Sequence, residues 1–142
     1  MVQNPPKGYH TITPQTIVED AHATLDFIKA VFDASIEEVY EGDGVVHHAQ
    51  ARIGDSLIMI ATASEDFPAF PFMLNVYVDD VDAAFAKAVQ QDATPLREPA
   101  DQFYGDRTGG VVDSQGNQWW MSTHIEDVSE DELRRRMEET GG

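Results

Sequence analysis

The chain has 142 residues, with 26 acidic side chains, 9 basic ones and a net charge of −17. That length suits one domain with a sizeable core, and that charge repels nucleic acid and anionic membrane surfaces. Without cysteine there are no disulfides, no thiolate metal sites and no cysteine nucleophile, and no run of about 18 apolar residues is present to span a bilayer.

The opening segment, MVQNPPKGYH, lacks the apolar stretch of a signal peptide. Together with the missing cysteines, this makes the cytoplasm the expected location. A short β-rich run at 11–18 predicts a strand. An amphipathic helix is predicted over 20–32, with Asp20 as its N-cap and Ala23, Phe27, Ala30 and Val31 recurring at helical spacing. Three strands are predicted to follow, at 35–41, 44–53 and 56–62, bounded by Gly and Asp. The stretch TASEDFPAFP, with two prolines, reads as a connector between halves.

The second half repeats the first. Residues 78–93, VDDVDAAFAKAVQQDA, echo residues 18–34, VEDAHATLDFIKAVFDA; both begin Val-acid-Asp and end Asp-Ala. ARIGDSLIMIAT at 51–62 aligns on its glycine with DSQGNQWWMST at 113–123. The helix starts are offset by 60 residues and these hairpins by 62. The predicted elements are a strand at 72–78, a helix at 80–91 capped by Asp80, and strands at 94–98, 108–113 and 117–124. A capping box, Ser129 with Glu132, opens a last helix over about 129–140. Its Arg134–Arg136 read either as a solvated helix end or as a docking surface for a neighbouring subunit.

The expected fold is therefore α+β: two tandem βαβββ modules plus a C-terminal helix. They form one domain, with module one at about 10–62, a linker at 63–71 and module two at about 72–124. Tandem modules carrying VEDAHATLDFIKAVFDA, HAQARIGDSLIMI, VDDVDAAFAKAV and FYGDRTGGVVDSQGNQWWMSTHIEDVS resemble the vicinal oxygen chelate superfamily. That superfamily comprises glyoxalase I, bleomycin-resistance proteins and extradiol dioxygenases, and the likeness is to its PhnB-like branch. The usual Asp-Pro before the final strand is Asp113-Ser114 here.

The resemblance implies a glyoxalase/bleomycin-resistance-type incomplete barrel around a cleft, formed within one chain or across a swapped homodimer. In the enzymes that cleft holds a divalent metal in an octahedral set of His, Glu and water. By matching motifs, the ligand positions fall at Thr13, Ile58, Met73 and Trp120. None of these donors suits a hard or borderline divalent ion. A one-residue slip only exchanges them for Ile12 or Pro14, Leu57 or Met59, Phe72 or Leu74, and Trp119 or Met121. The adjacent His47 and His48 point to opposite faces of a strand and cannot share an ion. No metal and no other cofactor is expected.

Strand alternation then assigns Thr13, Gln15, Ile58, Met73, Asn75, Tyr77, Trp120 and His124 to the cleft, with Tyr104 at its mouth. Arg107 is placed with the cleft residues as well, where it reads either as an anion clamp or as the partner of a nearby acid, with Asp106 as a turn cap. A mixed aromatic and polar cleft suits a small planar or amphipathic ligand, and the acidic surplus suits a cationic one. The expected function is metal-free, sequestration-type small-molecule binding. The alternative is a metal-dependent lyase, isomerase or dioxygenase with a displaced site. Catalytic residues are not assignable, and neither nucleic acid nor membrane is an expected partner.

Overall fold

A computed structural model describes residues 2–140. Module one contains β1 (Gln15–Val18), α1 (Ala21–Phe32), β2 (Ser35–Gly42), β3 (Val45–Ile53) and β4 (Ser56–Thr62). Module two contains β5 (Met73–Tyr77), α2 (Val81–Gln90), β6 (Thr94–Asp101), β7 (Asp106–Val112) and β8 (Gln118–His124). The C-terminal helix is α3 (Glu130–Glu139). The fold is the expected α+β pair of βαβββ modules followed by a helix.

Both predicted caps form. Asp20 accepts a hydrogen bond from the Ala23 amide and Asp80 one from the Ala83 amide. Each thereby satisfies one of the unpaired N–H groups of a first helical turn. Asp33 ends α1 in the left-handed region, at φ 53°. The β2–β3 hairpin turns on Asp43-Gly44, both at positive φ, which matches the right-handed twist of the strands it joins. β1 begins at Gln15, later than expected. Pro14 has no N–H to offer a ladder, and its carbonyl instead accepts from the Met59 amide at 2.9 Å.

The two sheets have the same topology: β1-β4-β3-β2 and β5-β8-β7-β6, with β1 parallel to β4 and β5 parallel to β8. Each helix covers one face of its own sheet, and the two covered faces meet. Trp119 of β8 lies among Phe27 and Phe32 of α1 and Phe72, with ring centroids 5.2 to 5.8 Å away. The buried apolar cluster draws on both modules. The opposite, helix-free faces of the two sheets consequently point away from each other. No barrel closes.

A buried polar network ties the modules together at the same seam. The Asp113 carboxylate accepts from the amides of Gln115 and Asn117, from Asn117 Nδ2 and from Trp119 Nε1. Asn117 Oδ1 in turn accepts from the Thr16 hydroxyl of β1 and from the Phe72 amide. The Gln115 side chain accepts from the Asp20 amide at 2.8 Å. The aspartate before the final strand thus holds β8 to module one as well as shaping a turn.

α3 docks on its own chain. Arg136 donates to the Phe103 carbonyl at 3.0 Å and grips Glu126 with two bonds. Arg134 and Arg135 pair with acids of the helix itself.

Candidate functional site

Ladder register across the second sheet places Asn75, Trp120, Gly110 and Arg97 in one transverse row. The row lies on the helix-free face, because Leu74, Val76, Trp119 and Met121, which alternate with it, pack toward the core. Trp120 lies flat across the backbone of β7. A Cβ on Gly110 would come within 2.6 Å of its ring, so only glycine permits that approach. Arg97 reaches back over Gly110 and holds its guanidinium carbon 5.7 Å from the Trp120 centroid.

The next row carries a hydrogen-bonded chain. The Ser122 hydroxyl donates to Asn75 Oδ1 at 2.9 Å, so its 3.0 Å contact with Thr108 is one in which Thr108 donates. At the end of the face Asp106 is buried, 6% exposed. Its two oxygens meet Tyr77 OH and His124 Nδ1, each at 2.8 Å, and His124 Nε2 meets Asp127 at 2.7 Å. Carboxylates on both ring nitrogens, Asp127 foremost and then Asp106, raise the His124 pKa above its usual value. Donating to Asp106 raises that of Tyr77.

Of the residues assigned to the cleft from sequence, the second sheet gathers Met73, Asn75, Tyr77, Trp120 and His124 on this one face. Tyr104 stands exposed in the β6–β7 turn at the His124 end. Thr13 and Gln15 lie on the other module. Two assignments fail. Ile58 is 2% exposed and belongs to the core beneath α1. Its place on the open face is taken by Met59, the partner of Gln15. The cause is a difference in turns: two residues join β3 to β4, whereas five join β7 to β8. Aligning the two glycines therefore slips the repeat by one residue, which exchanges the faces of a strand. Arg107 is the second failure. It points to the helix side, where it donates twice to Asp82 of α2 and once to Asp101. Of the two readings open from sequence, pairing with nearby acids is the one the geometry fits.

Sequence reasoning missed Arg97, Gly110 and the bridging role of Asp106. Bulges flank Arg97 in β6, so alternation does not place it. Asp106 opens a strand, and its burial depends on register with β8.

A groove of about 660 Å³ follows the unpaired edge of β5, with Ile58, Leu74 and Val76 on its apolar walls and Asp55, Asp80 and Lys87 among its polar ones. Its apolar walls are core side chains, so it is the seam between the modules. The hydrogen-bonded polar side chains beside an open indole lie on the Trp120 face.

The family model for the Glyoxalase/Bleomycin resistance protein/Dioxygenase superfamily matches residues 10–121. The chain belongs to this superfamily. An uncharacterized protein of Mycobacterium bovis is 30% identical, over 92% of this chain and 93% of its own length. An uncharacterized protein of Mycobacterium tuberculosis is equally similar, over 92% of this chain and 84% of its own. Among solved structures, TioX from Micromonospora superposes with a TM-score of 0.70 at 20% identity, covering 82% of this chain and 99% of TioX. A PhnB protein from Bacillus cereus superposes with a TM-score of 0.66 at 22% identity, covering 80% and 99%. These structural likenesses carry the fold.

The divalent metal of the superfamily's enzymes does not fit the residues present. With the register corrected, the four positions are Thr13, Met59, Met73 and Trp120. They offer a hydroxyl, two thioethers and an indole, where an octahedral divalent ion wants carboxylate, imidazole or water. Among the described residues, no three His, Asp or Glu side chains converge as a metal site requires.

Proposed function

We propose that this superfamily member binds a small planar molecule, without a metal, on the open face of its second sheet. The observation that carries this reading is the row Asn75–Trp120–Gly110–Arg97, an indole laid flat on a glycine backbone with polar side chains at its rim. Met73, Tyr77 and His124 extend the binding face, and Tyr104 stands at its end. A flat indole binds planar rings by stacking, and the surrounding polar groups orient them.

The face is open in a single chain, and a second copy supplies the missing wall. Exposure supports that homodimer: Phe70 is 77% exposed, Met73 65% and Tyr77 64%. The backbone N–H and C=O groups of Met73, Asn75 and Tyr77 also have no backbone partner among the described residues. The two modules act as one domain, and the protein works in the cytoplasm.

A second reading, catalysis at a displaced site, draws on one observation. Tyr77, Asp106 and His124 form a hydrogen-bonded acid–base chain on the same face. The test is a thermal-shift screen of planar aromatic compounds against the wild type and Trp120→Leu, with elemental analysis of the dialysed protein. Binding predicts hits that stabilise the wild type and not the variant. Stoichiometric nickel, zinc, iron or manganese surviving dialysis sinks it in favour of the enzyme.

A further inference from the structure

We propose that the ligand of the Trp120 face is an anion: a planar aromatic or conjugated carboxylate. This rests on the binding reading above and concerns what that face selects. The whole-chain charge of −17 argues for a cationic ligand. The hydrogen-bond polarity around Trp120 argues the reverse.

Two amides flank the indole. Asn75 is its register partner on β5, and Gln118 lies two residues earlier on β8. Each has its carbonyl oxygen occupied by a protein donor. Ser122 donates to Asn75 Oδ1 at 2.9 Å, and Trp120 Nε1 donates to Gln118 Oε1 at 3.1 Å. Neither NH₂ group has an acceptor among the described residues, and an NH₂ only donates. The third rim group is Arg97, which donates and never accepts. In a chain with 26 acids it pairs with no carboxylate among the described residues, and its contact is the ring itself. The buried carboxylate on this face, Asp106, has both oxygens engaged by Tyr77 and His124. The rim of the platform thus presents donors and one positive charge. A ligand that stacks there and carries acceptors satisfies the rim, whereas an ammonium group meets donors and a like charge.

The test uses three probes of nearly one shape, 2-naphthoate, 2-naphthamide and 2-naphthylmethylammonium, titrated calorimetrically into the full chain. Naphthoate is expected to bind at least about tenfold more tightly than the ammonium probe, because it accepts charge-assisted bonds from a rim of donors that offers a second cation only like charge. Arg97→Gln and, separately, Asn75→Asp should collapse the naphthoate-to-naphthamide affinity ratio toward one. Equal binding of all three probes, or preference for the ammonium, overturns the anion inference and leaves the binding reading standing. Failure of all three to bind overturns both. Circular dichroism of each variant separates loss of preference from loss of fold.

Discussion

Trp120 has its orientation set by a residue with no side chain. Gly110→Ala places a methyl group inside the ring's contact distance. We expect it to destabilise the protein by about 1–3 kcal/mol, as overpacking does, and to weaken binding of any planar ligand. Denaturant unfolding and calorimetry check the two effects together. A variant of unchanged stability that still binds would show that the ring does not depend on the glycine. His124 makes a different prediction. Its folded-state pKa is raised, so the ion pairs with Asp127 and Asp106 contribute fully below the unfolded value of about 6.5 and are lost as pH rises through the folded value. Relative to His124→Gln, the wild-type melting temperature should fall as pH is raised above about 6.5. A difference that stays flat across that range contradicts the assignment.

At the scale of elements, repeated hairpins and capped helices were legible because their signals are local. Asp20 and Asp80 precede alanine-rich stretches and cap them as expected. The faces of strands were legible only where alternation is uninterrupted. β5 alternates cleanly, so Met73, Asn75 and Tyr77 share one face, as alternation indicates. In β7 the run Thr-Gly-Gly offers no apolar alternation, so the sequence left the face of Arg107 open. In β4 a shorter turn shifted the repeat and misplaced Ile58. The turn before β8 also does more than its sequence suggests. Asp113 takes four donors in a buried site, so Asp113→Ala orphans the Trp119 and Asn117 donors. A loss of about 3 kcal/mol is expected in urea unfolding. A loss under about 1 kcal/mol would show that the network contributes little.

At the scale of the molecule, sequence indicated two modules but not how they face. That depends on long-range packing: Phe27 and Phe32 of module one close on Trp119 of module two and turn both open faces outward. An outward face with a bare strand edge is the basis for the proposed dimer. Sedimentation velocity is expected to give a dimer for the wild type and a monomer for Met73→Glu, because a buried unpaired carboxylate is costly at an interface. A wild type that sediments as a monomer at micromolar concentration would remove the second wall from the account.

The central claim is that the Trp120 face binds its ligand without a metal. It is tested most directly by calorimetric titration of the strongest screening hit into protein stripped with chelator, repeated after adding nickel, zinc, iron(II) or manganese. The account predicts one-site binding of the same affinity in every case, lost in Trp120→Leu. Binding that appears only after a metal is restored would contradict it.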